Sequence, residues 1–199
     1  FNVGGSLGGG GKENKNIVVL DADLSKSTKT ADFGKMFPDR FFNVGIQEAN
    51  LVGVASGLAA AGKIPFISSF AAFLISKGYD QLRMGAAFSE LPVKVVGSHG
   101  GISVEEDGAS QMSIEDIALT CSLPGFQVMI PADEFATRAL TLQMAGNRSP
   151  VFMRTGRPKA PLIHNAETKF EIGKGIRVRE GKNVSLIANG LLVFEALEA

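Results

Sequence analysis

The richest group of polar side chains in the sequence lies between Gly97 and Gln111. It begins with His99, between a serine and two glycines, and continues through a run of acidic residues that ends at Asp107. An imidazole titrates near neutral pH and can exchange hydrogen bonds with substrate hydroxyl groups. A metal site is the rival interpretation, but one histidine beside clustered acids has neither the spacing of a zinc motif nor the repeat of a calcium loop. The segment therefore predicts contacts to a polar ligand and no metal ligands.

A carboxylate at the start of an apolar helical segment is the second candidate. Glu48 follows a short apolar run and a turn, and it precedes Leu51, Val54 and Leu58, which lie on one predicted helix face. The carboxylate could simply complement the helix dipole. Alternatively, an apolar environment would make it share a proton with a hydrogen-bonded nitrogen heterocycle. The residues alone leave both interpretations open.

Two phenylalanines and two possible anion-binding groups complete the candidates. Phe70 and Phe73 follow an apolar run three positions apart, a spacing that suits either a core pair or a stacking platform for a flat ring. Arg154 ends another apolar run and can form two hydrogen bonds to an anion, although a surface salt bridge is equally compatible. Ser27 lies in a polar segment that could hold a phosphate or only cap a helix.

Short apolar runs alternate with longer segments of helical periodicity. This order predicts an α/β fold, namely a doubly wound, mostly parallel sheet with helices on both faces. Ligands of such folds bind beyond the carboxyl ends of the strands, where most of the candidates lie. The predicted strands are Ile17–Leu20, Phe41–Val44, Ile64–Ile67, Val93–Val96, Gln127–Ile130 and Val151–Met153, and the clearest predicted helices are Glu48–Ala61, Ala71–Phe88, Ser113–Leu119 and Asp133–Met144.

The pattern predicts four regions. Residues 1–11 are dominated by glycine and are expected to form a flexible arm, because glycine loses much backbone entropy on ordering. Residues 12–155 form the main domain. Residues 156–173, which include His164, are expected to be a solvated linker, since the prolines after Gly156 cannot continue a helix. Residues 174–199, with predicted strands at Gly173–Arg179 and Val184–Ala188 and a helix from Leu191, indicate the incomplete beginning of a second α/β domain.

Composition excludes several classes of partner. Twenty basic and twenty acidic side chains cancel, so no electrostatic footprint for nucleic acid or an anionic membrane is present. No apolar run reaches the roughly 20 residues that span a bilayer, and no signal-peptide pattern begins the sequence. Cys121 is the single cysteine, which excludes an internal disulfide and agrees with a reducing compartment. We therefore expect a cytoplasmic protein without a nucleic-acid or membrane partner.

From Gly11 onward the sequence resembles the transketolase family, specifically its pyrimidine-binding domain and the start of its C-terminal domain. It looks especially like the C-terminal subunit of transketolases that some bacteria encode as two polypeptides. The order and spacing of several stretches agree with the family. These stretches are IVVLDADLSKST, RFFNVGIQEANLVGVASGLA, FISSFAAF, GSHGGISVEEDGASQM and VFMRTGRP.

The resemblance implies a role for each candidate. Glu48 would bind N1′ of the aminopyrimidine of thiamine diphosphate, and Glu48 and His99 would be the catalytic residues. Two phenylalanines would pack on the pyrimidine ring, with Gln111 beside them near the exocyclic amine. His99 would also contact sugar hydroxyls. The remaining implied residues are Phe70 and Phe73 for the ring, Asp107 for the hydroxyls, and Ser27 and Arg154 for the terminal phosphate of the sugar. The implied reaction, in the pentose phosphate pathway of carbohydrate metabolism, transfers a two-carbon ketol unit from a ketose phosphate to an aldose phosphate.

A partner is also implied, because the sequence has no Gly-Asp-Gly segment followed by an asparagine. In this family that segment binds magnesium and the diphosphate, so a diphosphate-binding domain or subunit would supply both in a homodimer or heterotetramer. Deoxyxylulose-phosphate synthase and the beta subunits of 2-oxo-acid dehydrogenases share the implied fold and glutamate, and they remain alternatives. A noncatalytic interaction subunit with the same fold is the alternative outside the enzymes.

Overall fold

The computed structural model describes residues 3–199, in which six strands form one sheet. The strands are β1 (Ile17–Asp21), β2 (Phe41–Asn43), β3 (Ile64–Phe70), β4 (Lys94–Ser98), β5 (Gln127–Met129) and β6 (Val151–Arg154). The α-helices are α1 (Val3–Glu13), α2 (Ser25–Thr28), α3 (Ala31–Met36), α4 (Glu48–Ala60), α5 (Ala71–Gln81), α6 (Asp116–Cys121), α7 (Glu134–Gly146) and α8 (Leu192–Glu198). Two 3₁₀ segments, Pro38–Arg40 and Ile102–Asp107, and a π-helical continuation of α5 at Leu82–Phe88 complete the elements.

All of the strand pairs are parallel, and the strands are ordered β2-β1-β3-β4-β6-β5. The predicted α/β class is therefore confirmed. Because the strands are parallel, their carboxyl ends share one edge of the sheet. At that edge Phe70 of β3 is level with Ser98 of β4, and Gly97 of β4 is level with Arg154 of β6. The register thus brings the segments after β3, β4 and β6 together.

The sheet is buried on both faces, as expected when helices cover a parallel sheet. Along β1, Val18 and Leu20 pack into one apolar cluster with residues of α4 and α5. Ile17 and Val19 point to the opposite cluster, which contains residues of α1, α3 and α7. The alternating sides of a single strand therefore supply two cores, and these cores hold the helices that begin at the sheet edge.

The N-terminal glycine-rich segment is helical, so the prediction of a flexible arm is wrong for residues 3–11; Phe1 and Asn2 lie outside the described residues. Val3 and Leu7 are buried in the second core. A Cβ at Gly11 would lie 2.8 Å from the rings of Phe33 and Phe37. The glycines let α1 approach α3 more closely than larger residues would allow, and this packing offsets the low helix propensity of glycine.

Residues 173–188 form no strand, which differs from the two strands predicted there. Val184 and Ile187 are exposed. The described chain offers them no neighbouring strand, and isolated strands are not stable in water because their backbone groups remain unpaired. The terminal helix, predicted from Leu191, is present as α8. Within residues 3–199, no helix combines the length and apolar character needed to cross a bilayer.

The segment after β6 is tied to the main domain through Asp133, the N-cap of α7. The buried Asp133 carboxylate accepts hydrogen bonds from the backbone N–H groups of Ala136, Ile163 and His164, at 2.7–2.9 Å. It also contacts Nδ1 of His164 at 3.1 Å. The expectation that His164 is solvated is therefore wrong, because its side chain is largely buried against Asp133. Burial by itself would raise the pKa of Asp133, but these backbone donors and His164 outweigh it and lower the pKa.

Replacement of Asp133 by alanine should destabilise the chain by about 2–3 kcal/mol at neutral pH, because the cap and several buried donors lose their acceptor. A carboxylate with a lowered pKa stabilises the folded state above its unfolded pKa and loses this effect as pH falls through the folded pKa. The difference between wild type and Asp133→Ala in urea unfolding should therefore shrink below about pH 4. Glu167→Ala, an exposed acidic residue of the same segment, is the control. A pH-independent difference would contradict the assigned hydrogen bonds.

Candidate active site

Glu48 is a buried carboxylate at the first position of α4, directly beyond the carboxyl end of β2. Its side chain is 2% exposed. Oε1 accepts a hydrogen bond from the hydroxyl of Ser69 at 3.2 Å, and Oε2 lies 3.4 Å from Nζ of Lys77. Helix-dipole complementarity explains a carboxylate at this position, but it does not require burial. The burial leaves the proton-sharing interpretation of Glu48 open, although the two contacts of its oxygens are a hydroxyl and an ammonium group.

The aromatic pair forms a column beside this carboxylate. Phe70 ends β3 and Phe73 lies in the first turn of α5, with ring centroids 5.7 Å apart and planes inclined by 22°. The His99 ring also stacks on Phe70, with ring centroids 3.9 Å apart and planes inclined by 23°. Both phenylalanines are only partly buried, so they are not an ordinary core pair. Both side chains remain partly exposed near Glu48, although the His99 ring covers one face of Phe70.

His99 adopts a left-handed backbone conformation, with φ of 57°, directly after β4. The conformation turns its ring onto Phe70, and Nδ1 lies 3.1 Å from Oγ of Ser98. Burial lowers the pKa of His99 below its ordinary value; nearby Asp107 opposes the change, and nearby Arg157 adds to it. The lowered pKa favours the neutral imidazole, which can both donate and accept hydrogen bonds.

Arg154 forms a buried ion pair with Asp116, which was not predicted from the sequence. Its Nε lies 3.4 Å from Oδ2 of Asp116, with side chains 18% and 0% exposed respectively, and its Nη2 donates to the carbonyl of Ser113 at 3.2 Å. Burial raises the pKa of Asp116, and the Arg154 cation opposes this shift. The backbone at Gly100 and Gly101 packs directly on the guanidinium group. Arg154 thus supports the loop that carries His99.

Arg157, which the sequence analysis did not select, is the more accessible arginine. It donates to the carbonyl of Val104 at 2.6 Å and to Oε1 of Glu106 at 2.7 Å. Its charge is close enough to influence the pKa of His99. The only signal in the sequence was its place in the Arg-Thr-Gly-Arg-Pro stretch. The first arginine of that stretch ends a predicted strand, and the position after a strand favoured it as the anion-binding residue.

The other predicted residues lie around the same edge without direct mutual contacts. Ser27 is exposed in α2, beside a loop that buried Asp21 organises by accepting hydrogen bonds from Leu24, Thr28 and Thr30. No hydrogen bond or ion pair among the described residues joins Ser27 to His99 or Arg154. The strands β1 and β6 are separated by two others, a span of about 14 Å.

Asp107 and Gln111 belong to the loop that follows β4. Asp107 is exposed at the end of the 3₁₀ segment Ile102–Asp107, close enough to His99 to affect its pKa. Gln111 is half-buried, and its side-chain oxygen accepts a hydrogen bond from Ser110 at 2.6 Å. The loop therefore carries a carboxylate beside the imidazole and an amide farther along.

Solved structures share this arrangement of elements. One titled "Split gene transketolase, inactive beta4 tetramer" superposes with a TM-score of 0.89 at 45% identity, covering 98% of this chain and 63% of that chain. Among curated proteins, a transketolase C-terminal section from Methanocaldococcus jannaschii is 44% identical over 191 residues, which is 95% of this chain and 60% of the relative. A 6-deoxy-6-sulfo-D-fructose transketolase subunit from Clostridium sp. is 40% identical over 188 residues, covering 94% of this chain and 58% of the relative.

The chain thus spans about three-fifths of the length of these curated relatives. The family described as transketolase, pyrimidine binding domain, matches residues 4–161, which include every residue of the site described above. Both the buried glutamate at the start of α4 and the order of the strands lie within this match. The chain belongs to the transketolase family, and residues 4–161 are its pyrimidine-binding domain.

Proposed function

We propose that this chain supplies the pyrimidine-binding half of a thiamine-diphosphate-dependent transketolase, which moves a two-carbon ketol unit from a ketose phosphate to an aldose phosphate. The burial of Glu48 beside the aromatic column carries this proposal. A carboxylate hidden from water needs hydrogen-bond donors, and a ring nitrogen that shares a proton is a suitable one.

The residues fit the aminopyrimidine of the cofactor. Glu48 would bind the ring nitrogen N1′ and hold a proton there, while Phe70 and Phe73 would pack on the ring and exclude water. Gln111 would lie near the exocyclic amine. When bound, thiamine diphosphate supplies a carbon nucleophile and an electron sink for breaking a carbon–carbon bond. Magnesium and the diphosphate group would be held by the partner and not by this chain.

The substrate would bind on the side of the column occupied by His99. A neutral imidazole can accept a proton from one sugar hydroxyl and donate to another, and Asp107 lies close enough to join it. We place the terminal phosphate at Arg157, and not at Arg154 as the sequence suggested, because the ion pair of Arg154 with Asp116 is buried, whereas that of Arg157 with Glu106 lies in water and can open for a ligand. Ser27 would reach the same phosphate only if the substrate spans several strands.

A partner surface is suggested by α4, which is apolar on both of its sides. Leu51 and Val52 face the core, whereas Gly53, Val54 and Gly57 are exposed. The exposed side begins beside Glu48, so a diphosphate-binding subunit that docks there would meet the pyrimidine site. We propose a heterotetramer or homodimer of this kind, and a cytoplasmic location in the pentose phosphate pathway.

One comparison favours a second substrate class. The Clostridium relative carries the name of a sulfosugar transketolase subunit. A guanidinium group such as that of Arg157 binds a sulfonate as well as a phosphate, because both present several anionic oxygens. Parallel assays of the reconstituted complex with xylulose 5-phosphate and with 6-deoxy-6-sulfofructose as donors separate the two substrates.

Glu48→Gln should lower ketol transfer by the reconstituted complex by about 10²–10⁴-fold, because the amide cannot share a proton with the pyrimidine. Activity is measured with xylulose 5-phosphate and ribose 5-phosphate, and cofactor affinity by calorimetry with magnesium. Glu167→Gln, which removes an exposed charge outside the site, should leave the rate unchanged. Full activity of the Glu48→Gln complex would disprove the catalytic role and would favour a noncatalytic subunit.

Substitution of Arg157 should affect substrate binding, whereas substitution of Arg154 should affect stability. Arg157→Ala should lower kcat/KM for ribose 5-phosphate by about 10–100-fold but change the rate with unphosphorylated glycolaldehyde little, since a charged hydrogen bond contributes about 1.5–3 kcal/mol. Arg154→Met should instead destabilise the fold by about 3–5 kcal/mol, because Asp116 loses its buried partner. The double variant Arg154→Met/Asp116→Leu should recover part of that loss in urea unfolding. Loss of phosphate discrimination in Arg154→Met alone would reverse these assignments.

A further inference from the structure

Lys77 occupies an unusual position for a half-exposed lysine. Its Nζ lies 3.4 Å from Oε2 of Glu48 and, at the same time, 4.6 Å from the centroid of the Phe73 ring. The side chain is 52% exposed, whereas that of Glu48 is 2% exposed. The ammonium group therefore contacts both the buried carboxylate and the ring of Phe73.

Close packing of two helices brings Lys77 to this place. Gly78, the next residue of α5, faces α4, where a Cβ would lie 3.0 Å from Val52 and 3.5 Å from the carbonyl oxygen of Glu48. This glycine lets the first turn of α4 lie against the middle of α5. The stem of Lys77 then needs to reach only over Phe73 to arrive at Glu48.

We propose that Lys77 occupies, in the free subunit, the place at Glu48 that the pyrimidine ring takes, so that cofactor binding must displace the Lys77 ammonium. The inference rests on the proposed role of Glu48. A pyrimidine in the site needs one hydrogen bond from Glu48 and one aromatic face, and Lys77 uses both. We propose that the pyrimidine takes the same contacts to Glu48 and to the Phe73 ring that the Lys77 ammonium makes, so the two cannot occupy the site together.

Displacement of the Lys77 ammonium from Glu48 is reversible, and its free-energy cost is small. Lys77 is tethered and already half in water, so on leaving Glu48 it regains hydration and rotamer freedom. A half-exposed ion pair contributes little because solvent and salt screen it. Until the ligand arrives, however, the pair gives the buried carboxylate a charged donor in addition to the hydroxyl of Ser69. Lys77 thus stabilises the free site and weakens cofactor binding.

The test is calorimetric titration of the reconstituted complex with thiamine diphosphate and magnesium. Lys77→Met keeps the apolar stem but removes the charge, and it should bind the cofactor about threefold to tenfold more tightly than wild type. Lys77→Arg keeps a cation at the same place and should bind within about twofold of wild type. The gap between wild type and Lys77→Met should narrow between about 0.05 M and 0.5 M salt, because screening weakens the pair.

Lys182→Met removes an exposed lysine far along the chain and matches the change in net charge. It should leave the affinity unchanged. Equal or weaker binding by Lys77→Met would overturn the inference, as would tight binding by Lys77→Met and Lys182→Met alike. If Glu48→Gln weakens binding while Lys77→Met has no effect, only the role of Lys77 is wrong. If neither variant changes affinity, the assignment of Glu48 fails as well.

Discussion

The burial of one carboxylate organises this edge of the molecule. Glu48 begins α4 at the carboxyl edge of the sheet, and its oxygens are withdrawn from water. Such a group must be given donors by the protein or by a ligand, since an unpartnered buried charge costs several kcal/mol. Ser69 on β3 and Lys77 on α5 meet this need in the free chain.

Charged side chains in this fold divide into those that build the scaffold and those that face the ligand. Asp116 with Arg154, and Asp133 with the segment around His164, are buried and paired within the protein. Lys94 is also buried, donating to the carbonyls of Asn147 and Ser149 at 2.6 Å, and burial lowers its pKa to about 8. These groups are buried against partners within the protein, so they have little left to offer a ligand.

The charged and titratable groups that we propose face the ligand share a different environment. His99, Asp107 and Arg157 lie on the loops after β4 and β6, partly in water and within electrostatic reach of one another. The loop that holds His99 rests on the buried Arg154, so scaffold and site are adjacent but distinct. Together with the exposed apolar side of α4, they form the surface on which we propose that the ligand and the partner subunit meet.

The sequence by itself determined the alternation of strands and helices and the parallel sheet, because these depend on local periodicity. It also determined the candidates Glu48, Phe70, Phe73 and His99, because each follows a predicted strand. It could not show that the glycines near the N-terminus pack as a helix, since that depends on the close approach of α3. It also could not separate Arg154 from Arg157, or find Lys77. Those assignments depend on which side chains meet across elements distant in the chain, and only tertiary packing decides which charged pairs are buried and which lie at the surface.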